Sequence, residues 1–140
     1  MNRADWQALA EERILAAQAL LAAQRWSSAY YLAGYAVEAG LKSCIVVYVA
    51  ANPEVIFGEK RYSEKCWSHN IEDLVKLADL VIAKDAETAA NAIFAQNWVA
   101  VSEWSEQSRY EQKSQIKAET LFNAITDSAN GVMPWIRARW

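Results

Sequence analysis

The segment AYYLAGYAVEAGLK, Ala29 to Lys42, concentrates residue types that can do chemistry on what reads as a single helix. At about 100° per residue, Tyr31, Tyr35, Glu38, Lys42, Ile45 and Val49 fall on one stripe, and Ala29, Ala33, Ala36 and Gly40 fall opposite. An acid, a base and two phenols on one face of an otherwise apolar helix have two readings. One is a polar network that fixes helix register; the other is a ligand pocket or a dimer seam. Glu38 and Lys42 stand in the favourable order for an i, i+4 ion pair, which contributes only a few tenths of a kcal/mol when exposed. Buried, each ion costs several kcal/mol of desolvation, so the pair needs further partners. Arg13, which projects among the apolar positions of the preceding helix, is the expected third member.

A second group lies in SEWSEQSRYEQ, where Trp104, Arg109 and Tyr110 offer an indole, a guanidinium and a phenol. Together these could grip a phosphate and stack a base. Alternatively, Arg109 pairs with Glu106 or with a carboxylate of another helix and helps to start the next helix. His69 is the sole histidine. It directly precedes a plausible cap at Asn70 and has no nucleophile or second ligand at a useful spacing, so it reads as a helix-start residue. One histidine and two separated cysteines make no zinc pattern, and there is no Gly-rich phosphate loop. Neither a metal nor a cofactor is expected. Lys60, Arg61 and Lys65 are interleaved with Glu59 and Glu64, the pattern of a solvated loop. Arg137 and Arg139 are placed to complement a helix C-terminal dipole.

The elements that must position these residues are helical. The chain has 140 residues, 54% of them hydrophobic, with only two prolines and four glycines, which leaves little material for long loops. One domain of about five helices, an all-α up-and-down bundle, is the expected architecture. Trp6, Ala10, Ile14, Ala17 and Leu21 mark a first amphipathic helix from Asp5 to about Gln24. A second runs from a cap at Ser27 or Ser28 to about Ala51, stopped by Asn52 and Pro53. So short a link makes the two an antiparallel hairpin, with the alanines of the first against the small stripe of the second. Residues 52–69 read as a loop. Asn70 caps a third helix to about Ala83, Asp85 caps a fourth to about Val101, and Ala118 to Val132 marks a fifth, bent at Gly131 or Pro134. Seven tryptophans are many for this length, and those near element ends are expected to close a core or an interface.

A net charge of −3 and a pI near 5.2 exclude general, charge-driven attachment to nucleic acid, although local basic patches remain available. The longest apolar run, Cys44 to Ala51, is short for a membrane span, and Asp5, Glu11 and Glu12 stand where a signal peptide would be apolar. The expected location is the cytoplasm, with Cys44 and Cys66 as free thiols.

The hairpin RILAAQALLAAQRWSSAYYLAGYAVEAGLK, followed by HNIEDLVKLA and by WSEQSRYE before the last helix, resembles the HEPN superfamily. The resemblance spans about Arg13 to Trp135. It implies a helical bundle that forms a homodimer, is encoded beside a small nucleotidyltransferase, and takes part in RNA cleavage or nucleotide binding in prokaryotic defence, including toxin–antitoxin pairs. Active nucleases of that family pair an R-x(4 to 6)-H motif across the dimer and cut RNA without metal. Arg109 matches the arginine, but Ser114, Gln115 and Ile116 stand where the histidine is required. Cleavage of that kind needs a group that exchanges protons near neutral pH, which imidazole does and these three side chains do not. The expectation is therefore a non-catalytic HEPN-like homodimer that binds a nucleotide, an RNA end or a nucleotidyltransferase through Trp104, Arg109 and Tyr110. The competing expectations are a metal-independent ribonuclease toxin, in which Arg109 works with His69, and a plain helical dimerisation domain.

Overall fold

The computed structural model describes residues 1–140, all of them in helices, turns and loops, with no strand. Asn2 accepts from the Asp5 backbone N–H while the Asp5 side chain accepts from the Asn2 N–H, and this reciprocal cap starts α1, Arg3–Ala22. Gln24 then takes φ 60°, a left-handed turn that reverses the chain. The second helix, α2, Trp26–Ala51, begins a residue or two before the expected caps. Ser27 does not cap it; its hydroxyl accepts from the Lys113 N–H at 2.8 Å and ties the start of α2 to a distant loop. Trp6, early in α1, lies 5.3 Å from Lys42 Nζ, late in α2, so the hairpin is antiparallel as the short link requires.

By length and composition α2 alone could cross a membrane, but two thirds of its most apolar window is buried inside the bundle. It is the central helix, packed against α1 and against four later elements. Its small residues serve those later elements as well as α1. A Cβ on Gly40 would meet Ile136 at 2.9 Å, and one on Gly34 would meet the Trp104 ring at 2.1 Å.

Residues 52–69 contain two single helical turns, α3 (Val55–Gly58) and α4 (Tyr62–Lys65). Tyr62 fastens this segment to the core by donating its hydroxyl to the Leu77 carbonyl at 2.6 Å. The expected third, fourth and fifth helices each divide. The third, α5, Ile71–Leu77, is capped by Asn70 as expected, but stops where Asp79 takes φ 58°. Beyond that turn lie α6, Val81–Ala90, and α7, Ala92–Ser102. Asp85 sits inside α6 and pairs with Lys84 at 2.7 Å; Asn91 is the cap, accepting from Ile93 and Phe94 N–H groups at 3.1 Å each. A 3₁₀ helix, Glu106–Tyr110, precedes α8, Gln115–Thr126, and α9, Val132–Arg137. The break between α8 and α9 centres on Gly131, where a Cβ would lie 2.4 Å from the Asp127 carbonyl oxygen. Pro134 falls in the first turn of α9, where a missing N–H costs no helical hydrogen bond. One core joins these pieces, with Leu41, Leu74, Phe94, Leu121, Ile125 and Met133 fully buried.

Candidate functional site

The polar stripe of α2 is deeply buried. Lys42 Nζ donates to Glu38 Oε1 at 2.8 Å, with both side chains nearly closed to solvent. An isolated pair of this kind would be costly, and the partner that offsets the cost is not Arg13. Arg13 is half-exposed and pairs with its neighbour Glu12. The third member is His69, whose Nδ1 lies 3.0 Å from Glu38 Oε1 and 3.1 Å from Oε2. An ionised carboxylate only accepts, so in this contact Nδ1 carries the proton. The segment from α4 to the Asn70 cap is what brings His69 over α2.

The imidazole reaches further. His69 Nε2 lies 3.5 Å from Glu106 Oε2, and Glu106 Oε1 lies 3.5 Å from an Arg109 guanidinium nitrogen. Glu106 and Arg109 are one 3₁₀ turn apart, so the short helix Glu106–Tyr110 places both side chains on the same side. A chain therefore runs from the buried ammonium of Lys42 through Glu38, His69 and Glu106 to a guanidinium that is 45% exposed. Tyr31 stands beside Arg109, and its ring packs edge-on against Tyr35 with centroids 4.9 Å apart. Burial pushes the Tyr35 phenol well above its ordinary range, and contact with Tyr31 and the Glu38 charge push the same way. Tyr35 is therefore a neutral O–H at any physiological pH.

Arg109 opens onto a cleft of about 350 Å³ lined by Ser27, Ser28, Tyr31, Leu32 and Ser108. The Ser108 hydroxyl is buried and has no hydrogen-bond partner. The contact between Arg109 and Glu106 is longer than the roughly 2.7–2.9 Å of a strong charged hydrogen bond, so the guanidinium is held without being fully engaged. Its outer face stacks on Tyr110, 4.7 Å from the ring centroid, and Tyr110 is largely exposed.

Trp104 departs from expectation. It is 3% exposed, wedged over Gly34 and packed against Tyr31 and Tyr35, so its indole supports the site from behind and offers no face to a base. Its Nε1–H has no partner. Ser27, Ser28 and Ser108 are lining residues that sequence reasoning missed, because scattered serines carry no spacing signal. His69 was legible as a residue but not as a member of this cluster; only the path of residues 52–70 across α2 reveals it.

Ser114, at the first position where a nuclease histidine would stand, caps α8 by accepting from the Lys117 N–H at 3.2 Å. The basic loop is internally paired, Arg61 with Glu64 at 3.8 Å and Lys65 with Glu59. Arg137 holds Glu11 of α1 through two hydrogen bonds of 2.7 and 2.8 Å, while Arg139 donates to the Trp135 carbonyl at the end of α9. Both cysteines are free; burial raises the Cys44 thiol to about 12, and it raises the Cys66 thiol as well. No group of His, Cys, Asp and Glu side chains is arranged to hold a metal ion. Comparisons with protein-family models, with curated proteins and with solved structures return no match to this chain.

Proposed function

We propose that this chain is a HEPN-like, non-catalytic cytoplasmic module that binds a nucleotide or an RNA end at the Arg109 cleft, with a phosphate against the guanidinium. The observation that carries the reading is the half-exposed Arg109 guanidinium, loosely held by Glu106, opening onto a cleft lined by Ser27, Ser28 and Tyr31. A phosphate oxygen accepts from the guanidinium, and exchanging the long Glu106 contact for a phosphate sacrifices little. Tyr110, exposed beside Arg109, takes the stacking role for which Trp104 is too deeply buried. In this proposal the module works as a homodimer beside a small nucleotidyltransferase, as in toxin–antitoxin pairs, and needs no cofactor. The test is calorimetric titration of the wild type and of Arg109→Ala with mononucleotides and short single-stranded RNA. Weakened binding at an almost unchanged melting temperature supports the proposal. Unchanged binding with lowered stability assigns Arg109 to structure and leaves a plain dimerisation domain.

A second reading is a metal-independent ribonuclease, and one observation favours it. A single carboxylate separates His69 from Arg109, which keeps imidazole and guanidinium within the roughly 10 Å that a shared acid–base site allows. Incubation with mixed RNA in chelator tests it: release of fragments that His69→Ala stops supports a nuclease, and an inert wild type overturns it.

A further inference from the structure

A second groove, of about 450 Å³, lies farther along α2, between its late half, the two short helical turns of residues 52–69 and the start of α1. Its walls are apolar: Trp6, Ile45, Val49, Ile56, Tyr62 and Trp67 contribute most of them. Trp67 is 79% exposed at the rim, a large apolar surface left in water. The volume falls in the range of small-molecule sites, which pair apolar walls with a few placed polar groups.

The placed polar group is Lys42. Its side chain lines the groove, and its ammonium lies 5.3 Å from the ring centroid of Trp6, another groove residue. An ammonium carries three N–H donors, and Glu38 is its one hydrogen-bond acceptor. Glu38 is itself shared, since both of its oxygens are also taken by His69. The groove thus has an under-satisfied cation, more than nine-tenths buried, set in an apolar wall. Water reaches such a group poorly, and an acceptor that arrives with its own apolar body satisfies it without exposing the wall.

We propose that this groove binds an amphipathic monocarboxylate, an aliphatic chain or ring along Trp6, Val49 and Trp67 with its carboxylate on Lys42 Nζ. The charge decides between classes of ligand. A neutral amphiphile fills the same walls but leaves the ammonium with a weaker acceptor, whereas a carboxylate forms a charge-assisted hydrogen bond in a low-dielectric setting. This site is separate from the Arg109 cleft and holds whether or not that cleft binds nucleotides.

The experiment compares octanoate with octanol, below their critical aggregation concentrations, on the full chain by calorimetry and by amide chemical shifts. The expected result is saturable one-to-one binding of octanoate at least tenfold tighter than octanol, with shifts confined to the groove. Trp67→Ala, at an exposed position, weakens octanoate severalfold, and Val49→Trp, which fills the groove, removes binding. Equal affinity for the two probes overturns the proposal, as does absence of saturable octanoate binding at millimolar concentration. A concentration-dependent dimer that Trp67→Ala dissociates and octanoate does not displace also overturns it, since a second copy then occupies the groove.

Discussion

His69 bridges two carboxylates that belong to different parts of the chain: Nδ1 contacts Glu38 of the buried helix at 3.0 Å, and Nε2 faces Glu106 of the 3₁₀ turn at 3.5 Å. The imidazole is the link between the ion pair inside the bundle and the guanidinium at its surface. Replacing it with alanine removes a hydrogen bond to a buried charged group. His69→Ala is expected to destabilise the protein by about 1–3 kcal/mol in urea unfolding. His69→Gln, whose amide can still donate to Glu38, is expected to recover part of the loss. Equal stability of all three proteins would show that the contact contributes nothing.

The pair of Glu38 and Lys42 makes a sharper prediction about the same network. Lys42→Met leaves a buried carboxylate with only His69, and should cost about 3–5 kcal/mol. The double variant Glu38→Leu with Lys42→Met should be more stable than Lys42→Met alone, because it removes the second charge together with the first. A double variant less stable than the Lys42→Met protein would show that Glu38 stabilises the fold without Lys42, through its contact with His69.

Gly34 is where α2 admits Trp104. A Cβ there would sit 2.1 Å from the indole ring, so Gly34→Ala must displace a buried tryptophan. We expect a loss of at least about 1–3 kcal/mol and a changed near-ultraviolet circular dichroism signal. Gly58, with nothing within 4 Å of its added Cβ, is the control: Gly58→Ala should leave stability within about 1 kcal/mol of wild type.

The stripe on α2 was readable because helical periodicity alone places Tyr31, Tyr35, Glu38 and Lys42 together. The all-helical class followed from composition, and the Asn70 cap from its local pattern. Partners that come from distant segments were not readable. Arg13 was the expected partner of the ion pair, being near in sequence and on the adjacent helix, whereas His69 arrives through a segment without periodicity. The divided helices failed for a related reason. Asp79 at φ 58° and Asn91 as a cap are single-residue backbone events inside runs whose apolar spacing continues across the break. Trp104 shows the limit for aromatic residues, since its type fits both a stacking platform and a core plug and only the close approach at Gly34 decides.

Alkaline conditions should unfold the protein more readily than neutral ones. Burial raises Tyr62 from its ordinary 10 to about 12 and Cys44 from 9 to about 12, and it raises Tyr30 and Tyr35 as well. The folded state binds these protons more tightly than the unfolded state, so their contribution is complete below the unfolded values and is lost as pH rises from about 9 to 12. The urea midpoint should fall between about pH 8 and about pH 11, and Tyr62→Phe should reduce the fall. A midpoint independent of pH over that interval would contradict the burial of these groups.

A phosphate held by Arg109 is the central claim, and the preference for a nucleoside monophosphate over the matching nucleoside measures it most directly. Titrations of wild type and Arg109→Ala with both ligands isolate the phosphate from the base. We predict that the wild type binds the monophosphate at least about tenfold more tightly, as one charge-assisted contact allows, and that Arg109→Ala loses this preference while its melting temperature stays within a few degrees. A wild type that does not distinguish the two ligands, or a preference that survives in Arg109→Ala, would contradict that claim.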